Sequence, residues 1–259
     1  MSDLFSLDGR IAAVTGAAGH LGAAMARGLA QAGARVYLLG RRRETLNELQ
    51  KKLASEGLDA VAEVLDVADP RAGEIFFQRL AAKEGRLDVL VNNAYGVDPD
   101  AADPFAAAYD VTVASAYRIA QQARALLRDA GQKTKGSSII NIASMYGSVS
   151  PDLRLYTDSP PNPVYYGPAK AGLLQLTRYL AAELAAEHIR VNAISPGPFP
   201  SPTSQAKFPE LMNRLKDKVP LGRIGKPEEL IGAVTFLASD ASSYVTGVNL
   251  PVDGGWTSW

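Results

Sequence analysis

Tyr166 and Lys170 are the residues with the most chemistry to offer. They lie four apart, and on a helix that spacing puts both side chains on one face. A free tyrosine titrates at roughly pH 10 and is a poor base at neutrality. An ammonium group beside it stabilises the phenolate and lowers that value. Such a phenol can give a proton to a carbonyl oxygen as hydride reaches the carbon, or take one from an alcohol. Chance alone places Tyr-xxx-Lys on many amphipathic helices. What lifts this pair is Ser144, at the end of the apolar run Ile140-Asn141-Ile142-Ala143, where a hydroxyl can donate to the same substrate oxygen.

Chemistry of that kind needs a hydride carrier. Thr15-Gly16-Ala17-Ala18-Gly19-His20-Leu21-Gly22 follows the first apolar run and opens the first helical pattern. Glycines there allow a tight turn and close approach of backbone to a pyrophosphate, which the helix N-terminus attracts. The second strand ends Leu39-Gly40-Arg41-Arg42-Arg43. An NAD-selective site usually carries an acid at the position of Gly40. Arg41, helped by Arg42, can instead fork onto the 2′-phosphate of NADP, or simply begin a solvated helix. The exchange makes NADP(H) the preferred cofactor, with NAD(H) second. Asp66-Val67 ends the third strand; the carboxylate can accept from an adenine amino group or cap a helix starting near Pro70. Asn92, Asn93 and Ala94 end the fourth, where the two amides can bridge neighbouring strands or form an ordinary turn.

The elements that must position these residues are legible as apolar runs: Ile11 to Thr15, Val36 to Leu39, Ala60 to Leu65, Leu87 to Val91, Ile139 to Ile142, Val191 to Ile194 and Val248 to Val252. Between them lie amphipathic helical patterns, such as the charged one from about Glu44 to Ser55. Continuous apolar runs of this length read as parallel strands covered on both faces. Their alternation with helices implies an α/β, Rossmann-type doubly wound parallel sheet of about seven strands in a three-layer sandwich, a single domain over 1–259. Ten of the sixteen prolines fall within Pro151–Pro168 and Pro196–Pro209. Neither stretch is periodic and both follow strands, so they are expected to be loops covering the substrate, at about 145–165 and 197–220.

Composition removes competing chemistries. The chain has no cysteine and two histidines, His20 and His188, which excludes thiolate nucleophiles and nearly excludes a His-rich zinc site or a Ser-His-Asp triad. Lys plus Arg equals Asp plus Glu at 27 each, so there is no basic footprint for nucleic acid or membrane. No apolar run suggests a membrane span, and the start shows no signal pattern, which sets a cytoplasmic expectation.

With these residues in view, the chain resembles the short-chain dehydrogenase/reductase family over nearly its whole length. The resemblance rests on the Thr15 to Gly22 turn, Asp66, Asn92-Asn93-Ala94, Ser144, Tyr166 with Lys170, Arg190-Val191-Asn192-Ala193 with Pro196-Gly197, and Gly222-Arg223 through Val252-Asp253-Gly254-Gly255. It implies Ser144 as substrate orienter, Tyr166 as acid/base, and Lys170 as modifier of the phenol and ribose ligand. It further implies nicotinamide contacts from Pro196, the Phe199 backbone and the Ser201 hydroxyl, and a homotetramer or homodimer. A small-molecule ketone or secondary alcohol, of sugar, polyol or 3-oxoacyl type, is the implied substrate. The competing expectation is a cofactor-binding regulator or scaffold without turnover.

Four departures from the family pattern stand out. His20 replaces a glycine and either faces the pyrophosphate or points outward. Tyr95 replaces the glycine after Asn-Asn-Ala and is expected to form an aromatic wall. Thr112 falls where the family has an asparagine that holds a proton-relay water. Ser144 and Tyr166 are separated by a segment about nine residues longer than usual, expected to pack over the substrate. Trp256 and Trp259 are expected at a subunit interface, and His188 is read as structural.

Overall fold

The computed structural model describes residues 4–98 and 100–259; Met1–Asp3, part of the start searched for a signal pattern, lies outside the described residues. The strands are β1 Ile11–Thr15, β2 Arg35–Gly40, β3 Ala60–Val64, β4 Val89–Asn92, β5 Ser137–Ile142, β6 Ile189–Pro196 and β7 Asn249–Val252. All pair in parallel, in the order β3-β2-β1-β4-β5-β6-β7. The seven apolar runs of the sequence are the seven strands, displaced by a residue or two at their ends.

The helices are α1 His20–Gln31, α2 Arg43–Ser55, α3 Ala72–Glu84, α4 Pro104–Tyr109, α5 Ser115–Gly131, α6 Tyr166–Leu184, α7 Pro202–Lys207, α8 Pro209–Lys218 and α9 Ile231–Ala238. Alternate strand residues serve opposite layers, as the two-residue period of a strand requires. Ala12, Val14, Val36, Leu38, Val89 and Val91 face a core shared with α1 and α9. Ile11, Ala13, Tyr37, Leu39, Leu90 and Ile139 face one shared with α3, α5 and α6. The two cores on either side of one sheet make the three-layer sandwich.

β1 sits between β2 and β4, so the winding reverses there and opens a crevice at the strand carboxyl ends. Thr15 and Asn93 hold that crevice rigid. The Asn93 backbone N–H donates to Thr15 Oγ1 (2.9 Å), and the Asn93 amide donates to the carbonyls of Thr15 (3.0 Å) and Gly16 (3.1 Å). Of the two readings of Asn92-Asn93, the strand bridge is the one observed. Asn92 in turn donates to Asn141 on β5 (2.9 Å), which donates to Thr177 on α6 (2.9 Å).

The stretch read as a second covering loop is not a loop. Pro202 and Pro209 stand in the first turns of α7 and α8, where a fixed φ and a missing N–H cost nothing. α8 turns Leu211, Met212 and Leu215 inward against Met145, Tyr146 and Trp256, forming a small roof core. Trp256 is therefore buried within its own chain, contrary to the interface expectation; Trp259 is exposed. His188 ends the turn after α6 with φ 58°, the one positive-φ residue other than glycine among those described, in a structural place.

Candidate active site

Ser144, Tyr166 and Lys170 meet at the carboxyl end of β5. Ser144 leaves the strand in extended conformation, its hydroxyl accepting from the Tyr146 N–H at 3.1 Å. Tyr166 begins α6, and Lys170 follows one turn later. Gly147 lets the turn after Ser144 seat directly on α6: a Cβ there would stand 2.9 Å from the Lys170 carbonyl carbon. The Lys170 ammonium is fully buried and donates to the Ile142 carbonyl at 2.7 Å. It lies 5.8 Å from the Tyr166 ring centroid and 5.4 Å from that of Tyr95. The two rings meet edge to face at 5.1 Å, so Tyr95 is the expected aromatic wall.

The Tyr166 phenol is held above its ordinary value, because burial disfavours the phenolate and the hydrogen bond with Ser144 offsets only part of that. Burial also lowers the Lys170 ammonium to about 8. Lys170 donates to the Ile142 carbonyl and is itself desolvated. A neutral phenol beside a cation is an arrangement fit to donate a proton.

Two clefts join at Leu21, Asn93 and Tyr95. The larger, about 660 Å³, runs past Gly16, Gly19, His20, Gly22, Arg41, Arg42, Asp66, Val67 and Ala94. Gly16 adopts φ +63°, and a Cβ there would stand 2.9 Å from the Ala94 Cα; one at Gly22 would stand 2.3 Å from the Gly16 carbonyl oxygen. No side chain caps α1, so the N–H groups of its first turn are free for an anion. Arg41 and Arg42 are exposed and form no ion pair among the described residues. Asp66 Oδ1 accepts from the Ala68 N–H at 3.0 Å, an Asx turn. It does not cap α3, which starts later with Arg71 in the cap position. His20 is exposed at the cleft rim. The residues present fit a dinucleotide with an extra phosphate: an anion-seeking helix end, a glycine turn with no room for side chains, and unpaired guanidinium groups.

The smaller cleft, about 410 Å³, holds Ser144, Tyr166, Lys170, Pro196 and Phe199. Ser201 faces neither cleft. Its hydroxyl caps α7, accepting from the Ser204 N–H at 3.2 Å, and Ser204 lines the cleft instead. Sequence reasoning missed the α8 wall of Phe208, Leu211, Met212 and Leu215. The available signal was proline in a first helical turn followed by apolar residues at helical spacing.

Thr112 sits in a five-residue π-helical turn, Asp110–Ala114, that joins α4 to α5. Its hydroxyl is buried without a partner, beside a narrow void shared with Ser115, Asn92 and Lys170. Widened turns of this kind often mark functional positions.

Comparison with known proteins gives a consistent result. A family model described as enoyl-(acyl carrier protein) reductase matches residues 16–257. A rhamnolipids biosynthesis 3-oxoacyl-[acyl-carrier-protein] reductase of Pseudomonas aeruginosa is 36% identical over 264 residues, covering 99% of each chain. The solved Pseudomonas aeruginosa RhlG/NADP active-site complex superposes with a TM-score of 0.87 at 35% identity, covering 99% of each chain. A gluconate 5-dehydrogenase from Burkholderia cenocepacia, in complex with NADP and tartrate, gives 0.86 at 32% identity, covering 99% of this chain and 98% of the other.

Proposed function

This chain belongs to the short-chain dehydrogenase/reductase family, and on that footing we propose that it is an NADP(H)-dependent oxidoreductase interconverting a ketone and a secondary alcohol. The observation that carries the reading is the convergence of Ser144, the Tyr166 hydroxyl and the buried Lys170 ammonium in one cleft that opens onto the glycine turn. Arg41 and Arg42 would hold the 2′-phosphate, the first turn of α1 the pyrophosphate, and Asp66 with Val67 the adenine end. NADPH, when bound, supplies the hydride.

The protein's own groups do the rest. Ser144 orients the substrate carbonyl by donating to its oxygen, and Tyr166 donates the proton that oxygen takes up. Lys170 stabilises the phenolate left behind and is placed to reach a ribose hydroxyl. Thr112 supplies a buried polar atom beside Lys170 where a relay water can sit. A non-catalytic regulator is the weaker reading, because Ser144, Tyr166 and Lys170 are all present and assembled. Exposed Phe105, Tyr109, Tyr117 and Tyr179 support self-association as a symmetric oligomer.

The test is NADPH oxidation with a carbonyl panel by the wild type and by Tyr166→Phe. Loss of the proton donor should cost at least about 100-fold in kcat. A Tyr166→Phe enzyme with undiminished rate would refute the mechanism.

A further inference from the structure

The walls of the smaller cleft carry almost no charge. Among the described residues Lys170 is the only ionisable group there besides tyrosines, and its ammonium is already bonded to the Ile142 carbonyl. Among the described residues no arginine, histidine or carboxylate lines the space. Three cations of the surrounding roof are paired. Arg214 donates to the Leu155 carbonyl at 2.7 Å and pairs with Asp158. Lys218 (3.6 Å) and Arg154 (2.8 Å) both engage Asp152. Asp152 and Asp158 come from the long segment between Ser144 and Tyr166, so that insertion offsets part of the positive charge around the cleft.

The remaining surface has two characters. Met145, Phe199, Phe208, Leu211, Met212 and Leu215 give one apolar wall. The insertion contributes Tyr156, Ser159 and Asn162 to the lining. The Tyr156 hydroxyl is already shared with that of Tyr146 at 2.6 Å. The Ser159 hydroxyl is buried and has no partner. A buried hydroxyl without a partner is costly unless something fills the role.

We propose, building on the reductase reading above, that the substrate is an electrically neutral ketone, with an apolar body seated on α8 and a polar substituent hydrogen-bonded by Ser159. A sugar acid would bring a carboxylate into a cleft that offers it no counter-charge. The reaction is a two-electron reduction: hydride from NADPH to the carbonyl carbon, and the Tyr166 proton to its oxygen.

The experiment uses three matched series of methyl ketones, six to eight carbons long, ending in methyl, hydroxymethyl or carboxylate. The hydroxy ketones should exceed the carboxylates by about 100-fold in kcat/KM at the best length. Ser159→Ala should lower kcat/KM about tenfold for the best hydroxy ketone and less than about twofold for the plain ketone. If carboxylates equal or surpass the neutral ketones while Tyr166→Phe abolishes turnover of both, the reductase reading stands and the neutral-substrate proposal falls. Equal losses for hydroxy and plain ketones in Ser159→Ala would remove Ser159 from the proposal. Failure of every series to oxidise NADPH with the wild type would count against both.

Discussion

Lys170→Met should make the apoprotein more stable at neutral pH while destroying its activity. The ammonium is completely buried, and burial brings it from 10.5 down to about 8. Each tenfold change in proton affinity corresponds to about 1.4 kcal/mol, so below pH 8 the folded state carries about 3 kcal/mol of penalty for holding this charge. Methionine fills nearly the same space without charge. It leaves the Ile142 carbonyl, now bonded at 2.7 Å, without its donor, which costs about 1–2 kcal/mol. The net expectation at pH 7 is a gain of about 1–2 kcal/mol, or about 3–6 °C in Tm for a domain of this size.

The pH dependence gives the sharper test. The folded-state value lies below the unfolded one, so between pH 8 and 10.5 the unfolded chain binds more protons and the wild type gains stability as pH rises. By pH 9.5 it should recover about 2 kcal/mol, closing the gap to the variant. Urea unfolding of both proteins at pH 7 and 9.5, without cofactor, isolates this group, because other titrations cancel in the difference. A variant no more stable at pH 7, or a gap unchanged at pH 9.5, would show that Lys170 is not held as a strained buried cation.

Further outcomes are expected from other parts of the molecule. Arg41→Asp should lower kcat/KM for NADPH by about 10- to 100-fold, the loss of a charge-assisted contact, and lower the value for NADH far less; initial rates with both cofactors check this. Gly16→Ala should weaken NADPH binding by tenfold or more in fluorescence titration, since φ +63° and the 2.9 Å approach to Ala94 leave no place for a methyl group. Thr112→Val removes an unpaired buried hydroxyl and should leave Tm unchanged or slightly higher; a drop in kcat with a changed solvent isotope effect would mark that hydroxyl as part of a proton path. Arg214→Ala cuts the tie from α8 to Leu155 and Asp158, and should raise KM for the ketone with little change in kcat or in KM for NADPH.

Much of this architecture is legible in the sequence because parallel strands buried on both faces need unbroken apolar runs. Ile11–Thr15 and Val89–Asn92 have little freedom to be anything else. The crevice follows, since glycine and asparagine stand where two such runs end. The roof is harder to read. Pro202 and Pro209 look like loop residues until their place in a first helical turn is seen, and α8 is so charged that its three inward residues barely register as a stripe. Trp256 is another case: aromatic residues near a chain end suit an interface, yet here the indole is needed to fill the space under Tyr146 and Met212. The ionisation of Tyr166 could not be read from spacing. Four residues of separation place an ammonium beside a phenol, but only the depth of burial decides which of the two yields.

The contrast between the two tryptophans equips the protein with its own optical reporter. Trp256 is 3% exposed with its ring centroid 6.4 Å from that of Tyr146, whereas Trp259 is 76% exposed. Iodide should extinguish the emission of the second and spare the first. Any displacement of α8 when a ligand enters would then be visible as a red shift of the shielded indole, with no dye attached and no residue replaced.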